Sequence, residues 1–187
     1  MGPILKISFE CPEWVNELDW ATPRQTDEAK MALAVDIARK NITARTGGPF
    51  GSAIFDPQGQ LVSVGMNMVM ANSNSTLHGE IVAFVMAHSQ MRSHKLAGLE
   101  LFTSCEPCAM CLGATLWSGV GRIITAATGE DARAIGFDEG PVFPESWRYI
   151  EERGIRTTRN VMRAEAKKVL DDYLAFGGPI YNSVGKT

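Results

Sequence analysis

From Asp27 onward the sequence switches repeatedly between helical and strand-like hydrophobic patterns, and that alternation restricts the fold more than any other feature. The stretch DEAKMALAVDIARKNITAR sets Met31, Val35 and Ala38 at helical spacing behind Thr26, a fair N-terminal cap, and Gly47-Gly48-Pro49 ends it. FGSAIFD and LVSVGMNMV then flank Pro57-Gln58-Gly59, which reads as a hairpin. A second helix begins at His78 and carries Ile81, Val82, Val85 and Met86 on one face. LELFTS reads as the third strand, and Pro107 is expected to open the third helix across CAMCLGATLW, because its fixed φ and missing N–H suit a first turn. VGRIITAAT reads as the fourth strand, EDARAIGF and ESWRYIEERG as short helices, IRTTRN as a candidate fifth strand, and VMRAEAKKVLDDYLAF as a terminal helix.

Elements of these lengths in this order predict an α/β fold, a three-layer α/β/α sandwich around a mixed five-stranded sheet; the hairpin requires the sheet to be mixed. The division expected is an irregular N-terminal arm at 1–26, a single domain at 27–176, and a tail at 177–187 that follows Gly177-Gly178-Pro179. No stretch approaches the roughly 20 apolar residues of a membrane-spanning helix, and MGPILKISFECPEW lacks the basic-then-apolar pattern of an export signal. The expectation is a soluble, cytoplasmic chain with no membrane partner. A formal net charge of −3, without any concentrated Lys/Arg block, disfavours a nucleic acid as partner.

Three of the four cysteines, Cys105, Cys108 and Cys111, fall within seven residues, which in such a chain points to metal or catalysis rather than to disulfides. His78-Gly79-Glu80 and the downstream Pro107-Cys108-Ala109-Met110-Cys111 together match H-x-E…P-C-x-x-C, the signature of zinc nucleobase deaminases. Cys108 and Cys111 are read as i and i+3 on one helix face, where N-terminal N–H groups favour thiolates. With His78 as third ligand a fourth position stays open for water, the layout of catalytic zinc. Glu80 lies about 200° round an ideal helix from His78, so the two must work at the helix mouth, with Glu80 an unligated proton shuttle. The structural alternative is a closed Cys₃His site, because Cys105-Glu106-Pro107-Cys108 is a second C-x-x-C. Against it, Cys105 ends a strand, so the three sulfurs need not converge. His88, His94 and Cys11 are read as packing or surface residues.

Thr103 to Ala114, then Trp117, then Ala134-Ile135-Gly136-Phe137-Asp138-Glu139, is similar to the bacterial guanine deaminases of the cytidine deaminase superfamily, and the resemblance runs from about Asp27 to Tyr181. AIGFDEGP with the following P-E-S-W resembles the subgroup that deaminates guanine and, in some members, ammeline. The resemblance implies zinc-dependent conversion of guanine to xanthine and ammonia, with Glu139 as a second catalytic carboxylate. It also implies that Asn67, on the second strand, bonds the base edge, that Trp117 packs near the ring, and that Phe50 forms another apolar wall. Relatives exchange C-terminal segments across a homodimer, which makes Tyr181 the candidate residue closing the pocket. Spacing alone leaves other roles open: a turn cap for Asn67, plain core for Trp117, a solvated acidic loop for Asp138 and Glu139, a surface tail for Tyr181. Gly79, where the family usually has alanine, and the long arm are departures from the pattern. The competing functions are a tRNA adenosine deaminase and a non-enzymatic module built on structural zinc.

Overall fold

Side chains alternate across the central strands, and the alternation divides the core in two. In β1 (Gly51–Phe55), β3 (Glu100–Cys105) and β4 (Arg122–Ala127), one face carries Ala53, Phe55, Phe102, Ile124 and Ala126, while the other carries Ile54, Leu101 and Ile123. The first set packs with Met31, Ala34 and Val35 of α1 (Asp27–Thr43) and with Val169 and Leu170 of α7 (Arg163–Ala175). The second set packs with Ala83 and Phe84 of α3 (Gly79–Met91), Leu112 of α4 (Ala109–Ser118), and Trp147 and Ile150 of α6 (Pro144–Glu152). Each of the larger aliphatic and phenyl side chains taken fully out of water contributes about 1.5–3 kcal/mol, so both sheet faces must be covered and a three-layer sandwich results. The computed structural model describes residues 8–182; the first seven residues of the arm and the last five of the tail lie outside the described residues.

With β2 (Leu61–Met66) and β5 (Arg156–Thr158) the sheet has five strands in the order β2-β1-β3-β4-β5. β1 runs antiparallel to β2 and to β3, whereas β3, β4 and β5 are mutually parallel neighbours. The registers Gly51↔Met66, Ser52↔Thr103 and Thr103↔Thr125 bring the start of β1 and the ends of β2, β3 and β4 to the same edge. That is the carboxyl edge of the parallel strands, where α/β sheets habitually form their binding crevices.

Two expectations near this edge are corrected. Asn67 is not on the second strand, which ends at Met66; its side-chain oxygen accepts the Val69 N–H at 3.3 Å and turns the chain into a short helix, α2 (Val69–Asn72). The Asn67 backbone N–H still donates to the Phe50 carbonyl at 3.0 Å, so the turn follows directly on the last cross-strand bond. The third helix opens not at Pro107 but at Ala109, with Cys108 as its extended N-cap. The Ala109 N–H is taken by the Glu139 carbonyl at 3.0 Å, and the first intrahelical bond is Leu112 N–H to the Cys108 carbonyl at 2.9 Å.

Elsewhere Thr26 caps α1 through the Ala29 N–H, and Thr128 caps α5 (Gly129–Ala134) in a reciprocal box with Asp131. In the described part of the arm a 3₁₀ helix at Glu13–Glu17 buries Trp14 and Val15, and the Trp14 indole N–H donates to Thr46 at 3.1 Å. Among the described residues, no helix is long and apolar enough to cross a membrane.

The descent of α3 onto β2 depends on Gly65, where an added Cβ would lie 1.9 Å from the Gly79 carbonyl oxygen and 2.4 Å from the Ala83 nitrogen. Both are backbone atoms, so the helix itself would have to move. Gly65→Ala is expected to cost about 1–3 kcal/mol, the range for overpacking a filled interior. Urea denaturation checks this, and an unchanged midpoint would contradict the close-approach argument.

Candidate active site

Two helix N-termini meet at the carboxyl edge of the sheet, and each presents its N-cap residue. His78 caps α3 with an extended backbone (φ −73°, ψ 161°), and Cys108 caps α4 in the same way (φ −63°, ψ 172°). An N-cap lies outside the helical repeat, so the angular separation of His78 and Glu80 along an ideal helix does not keep them apart. The potential donor atoms of His78, Cys108 and Cys111 all lie within 4.8 Å of one another. Cys108 Sγ is 3.5 Å from His78 Nδ1. For a tetrahedral zinc with bonds of about 2.3 Å to sulfur and about 2.05 Å to nitrogen, the sulfur–nitrogen edge comes to about 3.5 Å. The donor set therefore fits that ion in both chemistry and spacing.

The two sulfurs share one proton. Cys108 is pulled down to about 4, chiefly because it accepts the Cys111 thiol, with His78 assisting against the cost of burial. Cys111 is pushed well above the usual thiol range by donating to Cys108 and by its own burial. One anion is already in place beside two helix N-termini, and a bound cation need displace only one further proton.

Cys105 does not join them. It is buried at the end of β3, its thiol donates to the Thr128 carbonyl at 3.5 Å, and burial holds it well above the usual thiol range. Among the described residues the cluster of candidate metal donors is His78, Cys108 and Cys111. Glu106 serves a scaffold role, accepting the Gly129 N–H at 3.0 Å and Arg159 Nε at 2.6 Å, which ties the β3–α4 loop to the start of α5.

A cavity of about 490 Å³ opens over the cluster, and Phe50, Asn67, His78, Glu80, Cys108, Glu139 and Tyr181 all contribute to its wall. Glu80 and Glu139 are buried, at 6% and 7% exposure. Asp138 is exposed whereas Glu139 is enclosed, so the 138–139 segment is not simply a solvated acidic loop. Burial raises both carboxyls, with the Cys108 anion adding to it, and Glu139 reaches about 8.

Trp117 is not brought to the site. It is 83% exposed near the end of α4, because the helix face that descends toward the sheet is the one carrying Cys111, Leu112 and Thr115. The aromatic side of the cavity comes instead from Phe137, which meets Phe50 and Tyr181 edge-on, both at 5.0 Å between centroids. Tyr181 reaches this position within its own chain, and Asn182 secures the tail by accepting the Asp138 N–H at 2.9 Å and donating to the Gly136 carbonyl at 2.9 Å. Gly48 makes room, since a Cβ there would lie 2.0 Å from the Tyr181 hydroxyl oxygen.

Sequence reasoning missed several residues of this region. Asn41, fully buried on α1, donates to the Gly48 carbonyl at 2.8 Å and the Asn67 carbonyl at 2.9 Å, fastening the two loops that border the cavity. A lone amide in the apolar stripe of a helix was the available signal. Thr103 and Ser52, polar residues in the two central strands, gave the same kind of signal. Phe137 stood two residues before Glu139 and was not singled out.

Replacing Cys108 or Cys111 by alanine is expected to abolish stoichiometric metal binding, whereas Cys105→Ala retains it. Elemental analysis of the three purified variants checks this, and metal loss on replacing Cys105 would place a fourth protein ligand in the site.

Residues 24–127 match the family described as the cytidine and deoxycytidylate deaminase zinc-binding region. The chain is similar to the guanine deaminase of Bacillus subtilis, 36% identical over 128 residues that cover 68% of this chain and 81% of that protein. It is similar in structure to the guanine deaminase of Nitrosomonas europaea, with a TM-score of 0.86 and 35% identity over 94% of this chain and all of the other. A tRNA-specific adenosine deaminase of Haemophilus influenzae is 31% identical over 110 residues, 59% of this chain and 63% of that protein. This chain belongs to the cytidine and deoxycytidylate deaminase family, and it is a hydrolytic deaminase.

Proposed function

We propose that this protein hydrolyses guanine to xanthine and ammonia, using zinc held by His78, Cys108 and Cys111. The observation that carries the reading is the pair of buried carboxyls, Glu80 and Glu139, lining one cavity with the metal-binding cluster. Hydrolysis of an amidine requires two proton movements, to the ring nitrogen and to the departing amine, and two carboxyls can divide them.

Bound zinc would supply acidity, lowering the pKa of a water in its fourth position to about 7. Glu80 accepts a proton from the attacking water and delivers it to the ring nitrogen beside the amino-bearing carbon, while the water oxygen bonds to that carbon. Glu139 protonates the departing amino group, and the proton left on the adduct hydroxyl restores what Glu139 gives up as the C–N bond breaks. Guanine and water thus balance xanthine and ammonia. Glu139 suits the acid role because burial is the largest cause of its rise to about 8, and a cation that neutralises Cys108 removes only a lesser cause.

The planar ring is assigned to the cavity that Phe50, Phe137 and Tyr181 line, with Asn67 on the same wall as the candidate to bond its edge. Guanine is favoured over a tRNA base because the similarity to guanine deaminases extends through the Glu139 segment and the chain is acidic. Residues 27–176 form the catalytic domain in this reading, with 1–26 as an arm and 177–187 as a tail. We assign a homodimer as well, for which the exposed Trp117, Phe143 and Tyr149 on and beside α4 and α6 offer an apolar surface.

Ammonia release should be measured from guanine, ammeline, cytosine, guanosine and a tRNA anticodon stem-loop. Turnover of guanine is expected, and activity confined to the stem-loop would contradict the assignment. Glu80→Gln is expected to retain zinc and lose activity by at least about 10²–10⁴-fold, the share usually carried by positioned acid–base groups. Near-normal turnover in that variant would remove Glu80 from the proton path. Since the acid form of Glu139 is lost as pH rises, and metal loading takes away the part of its shift that comes from the Cys108 anion, kcat is expected to fall no later than about pH 8. A rate unchanged well beyond that pH contradicts the acid role.

A further inference from the structure

Glu80 is held from behind by the sheet. Its Oε1 accepts the Thr103 hydroxyl at 3.2 Å, and the Thr103 oxygen in turn accepts the Ser52 hydroxyl at 3.2 Å. Thr103 and Ser52 are directly opposed across the β1–β3 pairing and are 2% and 0% exposed, so neither hydroxyl can exchange its partner for bulk water. Thr125, opposite Thr103 on β4, makes no competing bond with it.

We propose that Thr103 is a positioning residue for this deaminase: its hydroxyl, oriented by Ser52, fixes the Glu80 carboxylate so that the other oxygen faces the cavity. The proposal rests on the proton-shuttle reading of Glu80 given above. A threonine hydroxyl has one proton, and Ser52 fills an acceptor site on Thr103, so that proton is directed at Glu80. Cys111 also neighbours Glu80, but its thiol proton is directed at Cys108, and a cysteine that serves as a metal ligand has no proton left to donate. In the metal-loaded protein Thr103 then remains as the side-chain donor to Glu80 among the described residues. Because the two hydroxyls stand on paired central strands, the support is stiffer than a loop residue could provide.

A carboxylate that must reach both the attacking water and the ring nitrogen is sensitive to its rotamer, and misplacement by about 1 Å can cost about 100-fold in rate. Substrate affinity and metal binding do not pass through Thr103. Loss of its hydroxyl should therefore lower kcat and leave KM and zinc content unchanged.

The test compares Thr103→Val, which keeps the side-chain shape, with Thr103→Ser, which keeps the hydroxyl, and with Ser52→Ala. All are assayed as zinc-loaded enzyme on whichever ring of the panel above the wild type turns over. A wild type inactive on guanine thus overturns the substrate assignment without disabling this comparison. The expected result for Thr103→Val is a kcat lower by about 10- to 100-fold with KM within about twofold, consistent with lost positioning of an acid–base group. Thr103→Ser is expected to recover most of that loss, and Ser52→Ala to lower kcat less than Thr103→Val does. Thr103→Ala replaces the valine variant should valine prevent folding. A kcat within twofold of wild type without the hydroxyl, a serine variant as impaired as the valine one, or a loss explained by missing zinc or a raised KM would overturn the proposal.

Discussion

The site depends on two helices starting at the same place. Partial positive charge at the N-termini of α3 and α4 stabilises sulfur anions, and it does so only because the two caps, His78 and Cys108, are brought within 3.5 Å through their side chains. Nothing local to either helix achieves that. Gly65 lets α3 settle on β2, the parallel β3–β4 pair launches α4 from the adjacent strand end, and the Glu139 carbonyl takes the first free N–H of α4. The same backbone bond that finishes the helix thereby carries a carboxyl to the edge of the cavity.

Burial then gives the carboxyls their chemistry. An exposed glutamate would be ionised at neutral pH, whereas Glu139 is enclosed and holds its proton to about 8. Glu80, equally enclosed, is given a hydroxyl donor from the sheet and so has a defined orientation. The two groups differ in their surroundings rather than in kind, which is how like residues take up unlike roles in one site.

Much of this was legible in the chain. Periodicity located the first four strands and the long helices, because each face of the sheet is covered by apolar residues at the matching repeat, whereas β5, Arg-Thr-Thr, has no such repeat and stood only as a candidate. The ligand motif was legible because its spacing is set by helix starts. What escaped was geometry that depends on partners distant in sequence. Cys108 reads as a helical residue after Pro107, yet it becomes a cap once Glu139, far downstream, takes the Ala109 N–H. Trp117 falls in a strongly apolar helix, and only the placement of that helix against the sheet shows its ring to be on the outside. Asn67 looked like strand because its N–H still bonds the Phe50 carbonyl, and the chain turns only after it. Asn41 and Thr103 were visible as polar residues in apolar positions, but their partners were not.

X-ray absorption at the zinc edge of the wild-type protein tests the central claim most directly, since it counts the atoms around the metal. Two sulfurs at about 2.3 Å and two nitrogen or oxygen neighbours at about 2.0–2.1 Å are expected, one of the latter exchangeable with solvent. A shell with three sulfurs would mean that Cys105 closes the site, and the chemistry assigned to Glu80 and Glu139 would have no water to act on.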